Sequence, residues 1–263
     1  MKTNISTFNK SGFSLRLNSF GSNWLLEPVI EPIWDIEGHL KSVELLSRIK
    51  NCTYGHSHSP SEFFNSLAQS ELCSVLAWQL ELLAIIRPWC DARGVPVSLN
   101  LNRAQAFGLI SSPYISGLAT NLAPWLRIEI SEDFVHLGSN GSYDAVLDSL
   151  KSVSPLWLDD FGAGSTGLNW LSDGFFEAVK LDRNLFGMLC SLHEGVRFMS
   201  ALSVLASSVG VKIVAEGVCD DSRMAAARDA GVHACQGFLW PAVPFRKINS
   251  LPSTLASSNA GDA

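Results

Sequence analysis

The sequence predicts an α/β fold whose parallel sheet closes into a barrel, with its first two strands antiparallel. Three observations carry this. Short apolar or alternating runs, about eight of them, recur along the chain with helical patterns between most of them. The length of 263 residues suits one α/β barrel of about 250 residues better than an open sheet. The first two runs are joined only by Asp35 to Lys41, too short for a parallel crossover, which needs roughly a dozen residues.

In chain order, the predicted strands are Glu27–Trp34, Ser42–Arg48, Val95–Asn102, Trp125–Ser131, Pro155–Phe161, Ala178–Leu181, Val211–Ala215 and Ala234–Phe238. Residues 1–23 offer no reading beyond an N-terminal extension or lead-in helix. Glu62–Trp89 carries Leu72, Val75, Leu76, Leu80 and Leu83 at a spacing that keeps one helical face dry. Pro88 should end or bend that helix. Val196–Val209 is a second helix, stopped by Gly210, and Ser222–Ala230 a third, stopped by Gly231. No repeat or linker divides the chain, so residues 24–250 are expected to form one domain. Residues 251–263, small and polar, are expected to be a disordered tail.

Composition narrows the function. Apolar residues make up 47% and charged residues 17% of the chain, enough for a large core and too apolar for global disorder. A net charge of −6 argues against binding a nucleic-acid polymer or an anionic membrane. A small anionic ligand stays open if a cation bridges the charges. No secretory signal or membrane-length apolar run is present, and Leu80–Ile86 reads as a buried helix. Cys52, Cys73, Cys90, Cys190, Cys219 and Cys235 show no CxxC pairing, which suits reduced, mostly buried thiols in a cytoplasmic protein.

Barrel chemistry is mounted at the C-terminal ends of strands. Those ends present Glu44, Asn100, Glu129, Asp159, Asp160, Lys180, Glu216 and Gln236. Carboxylates in or just beyond apolar strands are costly to bury alone. With Asn and Gln they form an oxygen-rich set that suits Mg²⁺ or Mn²⁺ rather than zinc, and adjacent Asp159 and Asp160 suit a two-metal site. Each residue also has a plainer reading. A single Glu fits a solvated edge, Asp159-Asp160 and Gln236-Gly237 fit turns, and Lys180 fits the surface. The set as a whole favours the chemical reading, because successive strands present polar ends of one class. His56-Ser57-His58 reads as a loop with no third ligand. Gly162-Ala163-Gly164-Ser165 lacks the Lys-Ser/Thr ending of a phosphate loop. Ser98, Ser131 and Ser165 have no strand-end His to act as a base.

These residues resemble the EAL-domain family of cyclic di-GMP phosphodiesterases, from about Trp24 to Pro244. Glu31-Pro32-Ile33 resembles Gln-Pro-Ile, and Glu44-Leu45-Leu46 with Arg48 resembles the signature Glu-Ala-Leu and its downstream arginine. Ser98–Asn102 resembles Val-Asn-Leu-Ser, and Glu129–Glu132 resembles Glu-Leu-Thr-Glu. Asp159–Ser165 is close to the Asp-Asp-Phe-Gly-Thr-Gly loop. Lys180–Arg183 resembles Lys-Ile-Asp-Arg, Ala215–Val218 matches Ala-Glu-Gly-Val, and Gln236–Leu239 resembles Gln-Gly-Tyr-Leu.

The resemblance implies a modified (β/α)₈ TIM-type barrel with an antiparallel first strand, and hydrolysis of cyclic di-GMP to linear pGpG. It implies two Mg²⁺ or Mn²⁺ ions. Glu44, Asn100, Glu129 and Asp159 would hold one, and Asp159, Asp160 and Glu216 would surround the other. Lys180, Glu216 and Gln236 would serve the reaction, while Arg48, Leu46 and Asp182 would contact the substrate. Glu132 would anchor the loop Phe161–Gly167, which in the family couples the site to a homodimer. The chain departs from the pattern at Glu31 (for Gln), Leu45 (for Ala), Asn102 (for Ser) and Cys219 (for Glu), and in Ser165-Thr166-Gly167. Its ending, Leu239–Pro244, resembles stand-alone EAL-like proteins that bind a flagellar transcription regulator. Two readings therefore stand: a phosphodiesterase, or a module that binds cyclic di-GMP or a protein partner without catalysis.

Overall fold

A computed structural model describes residues 12–134, 145–164, 168, 171 and 174–255. The described residues begin with strands β1 (Leu15–Ser19), β2 (Ser22–Asp35), β3 (Leu40–Asn51) and β4 (Ser57–His58). Helices α1 (Pro60–Ser66) and α2 (Gln69–Arg93) follow, then β5 (Val97–Asn100), α3 (Arg103–Ser111), α4 (Pro113–Thr120) and β6 (Leu126–Ser131). A 3₁₀ turn (Glu132–Phe134), α5 (Ala145–Val153), β7 (Leu156–Phe161), β8 (Ala178–Leu181), α6 (Arg183–Ser191) and α7 (Gly195–Ser208) come next. The chain closes with β9 (Lys212–Ala215), α8 (Asp221–Asp229), β10 (Ala234–Cys235), β11 (Val243–Pro244) and a second 3₁₀ turn (Phe245–Ser250).

Strand β2 pairs with β3 on one side and β10 on the other, antiparallel to both. From β3 the pairing runs through β5, β6, β7, β8 and β9 to β10, parallel throughout. Eight strands thus close a barrel of the TIM type, its first strand reversed because Ile36–His39 can form only a tight turn. Strands β1, β4 and β11 lie outside the ring, on the flanks of β2 and β3.

Period-two alternation divides the apolar residues between two cores. Ile33, Trp157, Ala178, Val214 and Ala234 form a small cluster. The larger core takes in Val43 and Leu45 of β3 with Leu76, Leu80 and Leu83 of α2. Each such side chain contributes about 1.5–3 kcal/mol on burial. Helix α2 is long and apolar enough to cross a membrane by length and composition. Its Leu72, Val75, Leu76, Leu80, Leu82 and Leu83 are buried within the molecule.

Several expectations are corrected. The run Glu62–Trp89 is two helices, broken at Leu67-Ala68, where the Glu71 carboxylate accepts the Ala68 N–H at 2.9 Å and starts α2 afresh. Pro88 does not end α2, which continues to Arg93 with Ile86 and Cys90 buried on either side of it. The described part of residues 1–23 is a hairpin rather than a lead-in helix. Leu15–Ser19 pairs antiparallel with β2 across Phe20-Gly21, whose φ values of 54° and 70° make the two-residue turn that suits strand twist. Leu251–Leu255 belongs to the packed structure, because Leu251 is buried, the Leu40 N–H donates to the Ser253 carbonyl and the Leu255 N–H donates to the Gly38 carbonyl. Residues 256–263 lie outside the described residues. Ser57-His58 is a short strand on β3 rather than a loop. All six cysteines are free, but only Cys90 and Cys235 are buried, while Cys52 and Cys219 are exposed.

Candidate active site

On the inward rows of the barrel, each apolar residue of the small cluster is followed two positions later by a polar one. Trp157 leads to Asp159, Ala178 to Lys180, Val214 to Glu216 and Ala234 to Gln236. On the reversed strand the order inverts, and Ile33 is preceded by Glu31. Since side chains two apart share a face, an apolar floor carries a polar layer at the C-terminal ends of the parallel strands. Glu44, Asn100 and Glu129 join it from β3, β5 and β6, with Asn100 directly opposite Glu129 and Glu44 opposite Ser98.

Lys180, only 1% exposed, is the hub of this layer. Its Nζ lies 2.7 Å from Glu216 Oε1, 2.9 Å from Glu129 Oε2, and 3.1 Å from both Glu44 Oε2 and Asp159 Oδ1. Burial alone would lower the ammonium pKa, but Asp159, Glu129, Glu216 and Glu44 outweigh it and hold the group well above its ordinary value. Glu44 is fixed from both sides. Asn100 Nδ2 donates to Oε1 at 2.5 Å and Gln236 Nε2 to Oε2 at 2.6 Å. Burial, reinforced by the Glu44 charge, raises Glu129 well above the carboxylate range. Burial pushes Glu216 up to about 8 against the pull of Lys180. Asp160 rises to about 6 through burial of its carboxyl and the charge of Asp159.

One buried ammonium among so many carboxylates leaves negative charge in excess, which a cation would neutralise. Ligand atoms of Asp159, Asp160 and Glu216 lie within 4.8 Å of one another. Glu129 Oε1 and Gln236 Oε1 are buried with no hydrogen-bond partner among the described residues. An all-oxygen donor set with unsatisfied buried acceptors fits a hard divalent cation such as Mg²⁺ or Mn²⁺. A second cluster, Asp35, Glu37 and His39, meets the same distance at the other end of the barrel. There Asp35 accepts the Glu37 and His39 N–H groups, which is turn chemistry.

Above the layer opens a cleft of about 770 Å³ lined by Leu46, Arg48, Arg103, Phe134 and Phe238, among others. A smaller cavity of about 250 Å³ reaches Glu44, Lys180, Arg183, Glu216 and Gln236. Glu31, Leu46, Asp159 and Phe238 line both. Two glycines keep the rim narrow. A Cβ on Gly237 (φ 152°) would clash with the Val218 carbonyl oxygen, and one on Gly217 (φ 73°) would meet Arg183 Cβ at 2.7 Å.

Of the sequence-predicted residues, the structure brings together Glu44, Asn100, Glu129, Asp159, Asp160, Lys180, Glu216 and Gln236, with Leu46 and Arg48 on the cleft wall. Glu132 is buried, and its Oε2 accepts the Gly164 N–H at 2.7 Å, at the near end of the Phe161–Gly167 loop. Residues 165–167 lie outside the described residues. Asp182 is placed differently. Its Oδ1 accepts the Asn184 and Leu185 N–H groups as the N-cap of α6, it is 5% exposed, and it lines neither cavity. One oxygen of that buried carboxylate is committed to the helix end.

The EAL domain family model matches residues 16–242. The chain belongs to the EAL-domain family. It is 29% identical to the Escherichia coli cyclic di-GMP phosphodiesterase PdeH, over 84% of this chain and 85% of that protein. It is 28% identical to the Escherichia coli putative anti-FlhC(2)FlhD(4) factor YdiV, over 84% of this chain and 92% of that protein. The crystal structure of the EAL-like domain protein YdiV superposes with a TM-score of 0.78 at 26% identity, covering 89% of this chain and 97% of that one. The complex of PaMucR phosphodiesterase with c-di-GMP gives 0.68 at 22% identity, over 85% of this chain and 94% of that one, a likeness of fold. This EAL chain is thus similar, at nearly the same identity, to a named phosphodiesterase and to a named putative anti-FlhC(2)FlhD(4) factor.

Sequence reasoning passed over Arg183, Arg103, Phe134 and Phe238 as parts of this EAL cleft. Arg183 was readable, since it stands two residues beyond the end of the Lys180 strand. Arg103 and Phe134 belong to a helix start and a 3₁₀ turn, where no strand periodicity points.

Proposed function

We propose that this chain is a divalent-cation-dependent phosphodiesterase that hydrolyses cyclic di-GMP to linear 5′-pGpG, lowering a second messenger of biofilm and motility control in the cytoplasm. The observation that supports this most is the intact oxygen-donor layer gathered around Lys180 beneath a cleft of about 770 Å³. Glu44, Asn100, Glu129 and Asp159 would hold one ion, and Asp159, Asp160 and Glu216 the other. Bound ions would lower the pKa of a water and neutralise the phosphate. Asn100 and Gln236 orient Glu44. In the cation-free layer the surrounding carboxylates hold Lys180 as an ammonium. It donates hydrogen bonds and balances developing negative charge. Arg48 and Arg183 offer guanidinium forks to phosphate oxygens at the cleft wall. Through Glu132 the loop that begins at Phe161 would link the site to a homodimer partner.

Purified protein given cyclic di-GMP with Mg²⁺ or Mn²⁺ should form pGpG, and Glu44→Ala should abolish turnover while near-UV circular dichroism is retained. Unchanged turnover in Glu44→Ala would show the ligand assignment to be wrong.

A second reading is favoured by one observation, the TM-score of 0.78 to the EAL-like protein YdiV. In it the chain binds cyclic di-GMP or a protein partner, such as a flagellar transcription regulator, without catalysis. Recovery of a stoichiometric regulator, with motility control surviving Glu44→Ala, would support it.

A further inference from the structure

Glu31 belongs to the polar layer yet has no part in the cation sites assigned above. It projects from the reversed strand β2, directly opposite Glu44 in the β2–β3 register. It lines both the small acidic cavity and the main cleft, so it stands where the two join. Like charges directly opposed across a strand pair are destabilising. Lys180, the nearest buried cation, already serves Glu44, Glu129, Asp159 and Glu216. The Gln236 amide that reaches Glu31 is shared with Glu44. A half-buried carboxylate therefore faces the cleft with its charge only partly met.

We infer that Glu31 is a specificity-determining residue that makes occupation of this cleft by an anionic ligand conditional on divalent cation. This rests on the reading that the cleft takes cyclic di-GMP. A phosphate entering without a cation meets Glu31 in addition to Glu44 and Asp159. Two like charges several ångströms apart in a half-buried site are worth about a tenfold change in affinity or more. With cations bound, the local sign reverses and the same carboxylate no longer opposes the phosphate. A glutamine at this position has the same shape and keeps a hydrogen bond to Gln236, but lacks the charge.

The test is equilibrium binding of cyclic di-GMP by calorimetry to the full chain and to Glu31→Gln and Glu31→Ala, each in EDTA and in Ca²⁺. The wild-type protein is expected to bind at least tenfold more weakly in EDTA than in Ca²⁺. Both variants should narrow that ratio by roughly tenfold, chiefly by tightening the EDTA value. A purely structural role would shift both values together and leave the ratio unchanged, and that result in both variants would overturn the inference. If the wild-type protein binds cyclic di-GMP in neither buffer, the ligand assignment itself falls. If it binds equally in both, only the role of Glu31 falls.

Discussion

Lys180 shows how a single side chain organises this site. Four carboxylates approach its ammonium within about 3 Å, and none of them has another cationic partner among the described residues. Removing one member of a buried ion cluster leaves uncompensated charge and typically costs about 3–5 kcal/mol. Lys180→Met should therefore lower the cation-free melting temperature sharply, and added Mn²⁺ should restore part of it by taking over the neutralisation. A melting temperature unmoved by the substitution would contradict the hub role. With Glu216 a ligand, as proposed, its carboxyl, raised to about 8 by burial, would contribute to the pH dependence of cation binding. Below that pH the group is protonated in the cation-free protein, and an incoming ion must displace the proton. Apparent affinity should rise with pH, by up to about tenfold per pH unit below 8, as measured by calorimetry between pH 6.5 and 8. A flat profile would place Glu216 outside the coordination. The strand-end residues were legible because isolated carboxylates are conspicuous in apolar strands. The helix-capping role of Asp182 was not legible from the motif match, which does not reveal which way a side chain is used.

At the scale of elements, strand alternation explains why the site was readable and helix ends explain what was not. The inward row Trp157–Asp159, Ala178–Lys180 and Val214–Glu216 follows from a two-residue period. The break between α1 and α2 depends on one Glu71 carboxylate accepting one N–H group, a signal far weaker than the apolar face that runs through it. The β1–β2 hairpin did leave a trace, the alternation of Leu15, Leu17 and Ser19 before Gly21, in a stretch too short to stand out. Helix α6 yields a direct expectation. Asp182 caps it through two N–H groups, so Asp182→Ala should lower stability by about 1 kcal/mol and Asp182→Ser should recover most of it. KM for cyclic di-GMP should hardly move. A large KM increase with unchanged stability would return Asp182 to the ligand.

For the whole molecule, the closed barrel was legible from the short β2–β3 connection and the number of strands, since reversal of one strand leaves few ways to satisfy the rest. The net charge of −6 is partly concentrated in one internal layer, where it favours binding of a cation. Ions that bind only the folded state stabilise it, by about 2.7 kcal/mol at a hundredfold excess over Kd. Divalent cation should thus raise the melting temperature of the full chain by several degrees, and Glu44→Ala should blunt that rise. The central claim is that the layer is a working cation site for phosphodiester hydrolysis. It is tested most directly by following pGpG formation from cyclic di-GMP by chromatography, with Mn²⁺, with Mg²⁺ and with EDTA at pH 8. Steady accumulation of pGpG with at least one ion and none in EDTA is predicted. Absence of pGpG with both ions at high concentrations of folded protein, or equal formation in EDTA, would contradict it.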